Sequence, residues 1–286
     1  RASPAPRPRI HLLAILLMAL IALQSAASGL SALNTALDVT ANNLANVNTE
    51  GFKSSRTNFK DLLYIERIQP GVENSLGQQN PEGLFIGLGV RVSGTSLDFS
   101  QGSPISRGRN LDVTIQGAGF FRVQVEDRIA GGIAYTRTGD FNINSEGQLV
   151  IGNDPGRVLD PGITVPSDIR GPISISQTGE VFASVGSNPV PQKLGDIQLA
   201  IFINNGGLRP LGDNLFEETA ASGPPNEGIP GTDVRGVLLQ GSIEGSNVDP
   251  TRELIDLIRT QRAFEMNSST IRAADEVLQT LSQLRR

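Results

Sequence analysis

SGLSALNTALDVTANNLANVN, residues 28–48, is the stretch on which the fold turns. Leu23, Leu30, Leu37 and Leu44 recur every seven residues, and Ala26, Leu33, Thr40 and Val47 follow each of them by three. Apolar positions in that rhythm make a narrow a/d seam. Such a seam buries itself against another helix, not against a broad core. A matching stripe stands at the far end of the chain, where Leu257, Phe264, Ile271 and Leu278 repeat every seven, joined by Leu254, Ala274, Leu281 and Leu284. The spacing predicts two terminal helices, 19–48 and about 250–284, that pair as one coiled-coil domain. Everything between them is then an insertion.

Gly51 suits a helix stop that needs a left-handed backbone. At the other end, Asp249 can cap, Pro250 fits the first helical position and Glu253 the first turn. Residues 52–66 read as mixed, with a short helical turn. QPGVENSLGQQNPEGLFIGLG, residues 69–89, is an extended connector or a long hairpin. Residues 90–240 carry short alternating runs separated by Gly, Asn, Asp and Pro turns, which predicts an antiparallel sheet or small barrel. Residues 221–236 read as a Pro/Gly-rich loop. The fold class is therefore α+β. The expected divisions are a leader over 1–17, the N-terminal helix over 18–52, the connector over 53–89, the β-rich domain over 90–240 and the C-terminal helix over 241–286.

The chain has 286 residues with 24 Lys and Arg against 29 Asp and Glu, a net charge of −5. After residue 17 no basic run occurs, so an acidic surface would repel phosphate backbones and nucleic-acid binding is not expected. Cysteine is absent, which excludes disulfides and thiolate metal sites. It also suits a chain threaded unfolded through a secretion channel. The one histidine is His11, so a Ser-His-Asp triad or a histidine-ligated zinc site is excluded from the body.

RPRIHLLAILLMALIALQSAAS, residues 7–28, has the basic, apolar and small-residue segments of a secretory signal. The rival reading is a start at Met18, because the heptad keeps its register back to Leu23, beyond the cleavage position. The register predicts a native chain beginning at or next to Met18. N-terminal mass spectrometry of the native protein checks this, and a mature end at Ser28 would favour the signal.

Three motifs invite chemistry and each has a plainer reading. Gly117-Ala118-Gly119 opens like a dinucleotide fingerprint, but a strand follows where a helix is needed. Asp154, Asp160 and Asp168 lack calcium-loop spacing. Asp112, Asp140 and Glu146 could be a hydrolase pair, but no aromatic cluster would hold a sugar. No cofactor, metal or catalytic site is expected.

ANNLANVNTEGFK, residues 41–53, resembles the signature of the bacterial flagellar rod and hook proteins, with Asn42, Asn43, Leu44, Ala45, Asn46, Gly51, Phe52 and Lys53 in the family's order. DVTIQGAGFFRV (112–123), YTRTGDFNINSEGQLV (135–150) and the segment 241–281 resemble its later blocks. The likeness covers nearly all of 18–286. Within the family, the connector 61–92 is most similar to that of the distal-rod members; hook and proximal-rod members are the alternatives. The resemblance implies a helical D0 domain from both termini, an outer β-rich D1 domain and no enzymatic activity. It implies a homopolymer in the basal body that spans the periplasm as a rigid tube and passes torque from motor to hook. The partners implied are other copies, other rod proteins, the hook protein, the surrounding bushing rings and the type III export apparatus. Its monomers are expected to have disordered termini that fold on assembly. The expected seam residues are Leu23, Leu30, Leu33, Leu37, Leu44 and Val47 against Leu257, Phe264, Ile271, Leu278 and Leu281, with Leu30, Leu37 and Leu44 facing Phe264, Ile271 and Leu278. A Sec-exported periplasmic binding protein and a cell-wall hydrolase are the readings from other classes.

Overall fold

The computed structural model describes residues 8–72, 78–79, 81–126, 130–152, 156–169, 171–186 and 190–284. Within the helices, the side chains of 8–19, 281, 282 and 284 lie outside that description, and so do those of Met18 and Leu281. Asp154 lies outside it altogether. The chain forms two compact units. One holds helix α1 (Pro8–Ala45) up to Asn42, the segment Ser55–Ser96, and helix α2 (Pro250–Leu284) from Thr251. The other holds Asn43–Ser54 and Leu97–Pro250.

In α2 the heptad is visible as accessibility. Glu253, Leu257, Thr260, Phe264, Asn267, Ile271, Ala274 and Leu278 are half-buried, in alternating steps of four and three, and the positions between them are nearly all exposed. In α1, Ala26 and Ala32 are buried, and Leu23, Leu30, Leu33, Leu37 and Leu44 are half-buried. The two helices approach at Gly29, where a Cβ would lie 3.0 Å from Asn267 Nδ2.

α1 ends at Ala45, before the expected residue 48. Asn46, Val47 and Thr49 donate instead to the carbonyls of Asn43, Leu44 and Asn46, three residues back. Asn and Thr side chains compete with helical hydrogen bonds, and Thr49 Oγ1 bonds Asn46 Oδ1 at 3.0 Å. Val47 therefore sits in the turn and not on the helical seam.

The expected helical turn over 52–66 is instead sheet. Ser55–Asp61 pairs with Val90–Leu97, and Tyr64–Ile68 pairs with Leu84–Gly87 in antiparallel register. The connector is thus a long two-stranded ribbon. Its return strand carries it past residue 90, so the β domain begins nearer Leu97 than expected. Ser28 Oγ of α1 accepts a hydrogen bond from Val90 N at 3.2 Å, docking ribbon and helix within this unit.

The β unit is built on a seven-stranded antiparallel sheet. Its order is Arg209–Gly212, Leu215–Glu217, Ile133–Thr136, Phe120–Gln124, Leu199–Ile201, Asn226–Gly228, with Leu159–Asp160 also paired to Phe120–Gln124. The expected loop 221–236 therefore contains an edge strand. Successive side chains of a strand point to opposite faces, so Phe120 and Phe121 serve two cores. Phe121 meets Phe141 edge-on at 5.1 Å in the larger one, with Ile115, Leu149, Leu159 and Leu199. Phe120 joins Phe99, Phe202 and Phe216 in the smaller one. Both sheet edges are blunted. Pro210 sits in one outer strand. Arg235 Nη2 covers the other, donating to Glu227 O at 2.8 Å and to Asn226 Oδ1 at 2.6 Å.

Candidate functional site

The motif residues that end the N-terminal signature come to rest beside residues almost two hundred positions away. Gly51 turns the chain with φ +67°, and a Cβ there would meet Thr138 Oγ1 at 2.7 Å, so only glycine fits. Its N–H donates to Glu244 O at 2.8 Å. The turn delivers Lys53 inward, where Lys53 Nζ lies 2.6 Å from Glu244 Oε1 with both side chains fully buried. Lys53 Nζ also donates to Ser100 O at 2.7 Å.

Glu244 stands on the strand Ser242–Glu244, which pairs with Pro104–Ser106. Its Oε1 also accepts the N–H of Gly102 at 2.9 Å. A Cβ on Gly102 would stand 2.0 Å from Gly245 O, so this close approach also requires glycine. Glu244 Oε2 takes Arg137 Nε at 2.8 Å. Arg137 Nη1 then donates to Gly119 O at 2.7 Å and Gly117 O at 2.8 Å. One carboxylate thus joins two cations, and every one of its oxygens is satisfied. Such charge-assisted bonds are the strong ones. Burial holds the Lys53 ammonium below the ordinary lysine value, with the attraction of Glu244 opposing that shift.

Two flanking clamps complete the junction. Asn247 Oδ1 accepts Ser54 N at 2.8 Å, and its Nδ2 donates to Asp98 O at 2.8 Å. The Glu50 carbonyl accepts from Asn214 Nδ2 at 2.7 Å, and the Glu50 carboxylate pairs with Arg107. The N-terminal signature, the Gly117–Gly119 turn, the segment Tyr135–Gly139 and the segment before α2 thus form one network with a buried centre at Lys53, Glu244 and Arg137.

This geometry reassigns several sequence readings. Gly117 and Gly119 present carbonyls to an arginine, where a pyrophosphate would need N–H donors. Asp160 pairs with Arg122 at 2.6 Å, and Asp168 is exposed. Among the described residues no three of His, Asp and Glu gather to hold a metal ion. Asp112 and Asp140 do meet, but Asp112 is fully buried, and Glu146 lies exposed in the Asn144–Gln148 turn. Asn43 is buried; Asn42 and Ala45 are exposed; Leu44, Asn46 and Phe52 are half-buried. Sequence reasoning missed Arg137, Glu244 and Asn247. The available signal was a lone charge in a run of small and apolar residues, as in GSIEG.

A β unit closed by a buried network of the motifs that flank the terminal helices in sequence, with one half-buried heptad stripe along α2, is the plan of a structural subunit. Three family models match in chain order. They are the flagella basal body rod protein over residues 23–53, the flagellar hook protein FlgE/F/G D1 domain over 114–183, and the flagellar basal body rod FlgEFG protein C-terminal over 239–284. None of the three describes a catalytic family. The chain is 44% identical to the flagellar basal-body rod protein FlgG of Agrobacterium fabrum over 263 residues, covering 92% of this chain and 98% of that one. It is 44% identical to FlgG of Caulobacter vibrioides, covering 92% and 99%, and 38% identical to that of Bacillus subtilis, covering 92% and 98%. The chain belongs to the FlgG family of flagellar basal-body rod proteins. It is a structural component of the flagellar basal body.

Proposed function

We propose that this chain is the subunit of the distal rod, polymerising into a rigid helical tube that spans the periplasm and passes torque from motor to hook. The observation that carries the reading is α2. It half-buries one stripe and leaves Leu254, Ile255, Ile258, Met266 and Val277 exposed on its other faces. A long helix with that much apolar surface in water is incomplete as a monomer. Neighbouring copies would cover it, and the ordering of both helices would be completed on assembly. Contacts that repeat head to tail without closing generate a helical tube. Other rod proteins, the hook protein, the bushing rings and the export apparatus are the further partners of this reading.

The terminal helices would pair along their seams in antiparallel sense. Gly29 and Asn267 lie nearly the same number of residues from the end of α1 and the start of α2, and their close approach supports this register. Leu30 then faces Phe264 and Asn267, Leu37 faces Leu257 and Thr260, and Leu23 faces Ile271 and Ala274. In this register Leu44 would not meet Leu278, the pairing expected from the sequence.

The ribbon 55–97 would brace adjacent subunits, and its exposed Leu63, Tyr64, Leu84 and Phe85 suit that task. In cells lacking the native gene, the full chain is expected to restore straight rods and motility. Deleting Gly71–Gly83 should still give rods, but flexible or curved ones by electron cryo-microscopy. Straight rods of normal stiffness from the deletion would remove the bracing role. Failure of the full chain to enter basal bodies would remove the rod assignment.

A further inference from the structure

Asp112 lies at the start of the strand Val113–Gln116, bridged in antiparallel sense to Asp140. It is 0% exposed, and neither Oδ1 nor Oδ2 has a hydrogen-bond donor. A buried carboxylate without donors is costly. Its nearest cation, Arg109 Nη1, stands 3.5 Å away and is nearer to Asp140 Oδ1, at 2.8 Å. The same guanidinium also donates to Asn142 Oδ1 at 2.6 Å. Arg109 is 44% exposed, so solvent weakens its hold on the buried group.

Among the described residues, the other elements around Asp112 bring no charge. The strand Val237–Gln240, the turn at Gly241 that donates to Asp112 O, and the segment Leu149–Gly152 beside Asp140 contain no ionisable side chain. Arg107 acts only at longer range. Two carboxyls therefore face each other with one partly solvated guanidinium between them. Facing carboxyls relieve this by holding one proton between them, as like charges at close range do not both ionise.

We propose that Asp112 and Asp140 share a proton at neutral pH, with Asp112 as donor, so that the β unit is coupled to pH through this pair. Asp112 Oδ–H donates to the Asp140 carboxylate, and Arg109 neutralises the single charge left on the pair. Ionisation releases the proton to water and leaves two carboxylates, one of them fully buried, against one guanidinium. Burial, and secondarily Asp140, push the Asp112 carboxyl above its ordinary value, with Arg109 opposing. A carboxyl raised in the folded state contributes stability that is full below its unfolded value, about 3.9. That stability is lost as pH rises through the folded value. The affected elements are the start of the Val113–Gln116 strand and the Phe141–Ile143 strand, both of which supply residues to the larger core.

The test uses the full chain. Infrared spectroscopy near neutral pH, where exposed aspartates are ionised, should show a protonated carboxylic-acid carbonyl band that Asp112→Asn removes. Between about pH 5 and about pH 9, thermal unfolding of the β unit should fall by several degrees more in wild type than in Asp112→Asn. The asparagine donates its own N–H to Asp140 and has no proton to lose. Parallel pH profiles for the two proteins would overturn the proposal. The absence of an acid carbonyl in wild type would do so independently, even if the variant failed to fold.

Discussion

Glu244→Gln is expected to destabilise the β unit by about 3–5 kcal/mol, the usual cost of leaving a buried charge without its partner. The substitution preserves the side-chain shape and removes the carboxylate that bridges two buried cations. Its amide group would also turn an N–H towards Lys53 or Arg137, each of which needs an acceptor. Lys53→Met is expected to cost less, because Glu244 keeps Arg137 and the N–H of Gly102. The double substitution should cost less than the sum of the two, since both single changes break the same network. Urea denaturation followed by circular dichroism measures all three. Losses below about 1 kcal/mol for Glu244→Gln, within the range of an exposed pair, would show that the buried triad does not hold the motifs together. Because residues Asn43–Ser54 belong to the β unit through this network, its failure should also loosen the end of α1. Basal bodies from such cells should lack the rod segment built from this chain.

The terminal helices were legible because a heptad is a local pattern, and the half-buried steps of α2 follow it except at Leu254, which is exposed while Glu253 is half-buried. The β strands of the larger core were legible for the same reason, through alternation between turn residues. Ser55–Asp61 was not, because its side chains are mostly exposed on both faces and SRTNFKD carries no alternation to read. The end of α1 was missed by three residues, since the contest between Asn side chains and the helix is decided by hydrogen bonds that composition does not fix. The junction was half legible. Gly51, Phe52 and Lys53 stood out through a family resemblance, but Glu244 is 191 residues from Lys53 and no spacing rule connects them. Lone acids are usually solvated, and only three-dimensional structure reveals this one as the centre of a dry network. The burial of Asp112 was not legible for a related reason. Apolar neighbours flank it in LDV, but they do not say which face of the strand its carboxylate takes, whereas Glu146 stands in an exposed turn.

Leu37→Asp and Ile271→Asp are each expected to abolish rod assembly and motility. Both positions are half-buried on their helices, and the proposed pairing and neighbouring copies would enclose them. A carboxylate entering an apolar seam without a partner costs several kcal/mol. Assembly repeats that cost in every subunit. A loss of only about 3 kcal/mol per subunit raises the concentration needed for polymerisation by roughly two orders of magnitude. The β unit contains neither residue, so its own thermal unfolding should be unchanged in both variants. That separates failed assembly from a failure to fold. Leu37→Met keeps the volume and apolar character of the seam, and should assemble nearly as well as wild type. The proposed antiparallel register adds a sharper expectation. Leu37→Cys with Leu257→Cys should cross-link within one subunit under mild oxidation, whereas Leu44→Cys with Leu278→Cys should not. Rods of normal length from Leu37→Asp would sink the coiled-coil account, and a cross-link in the second pair would sink the register.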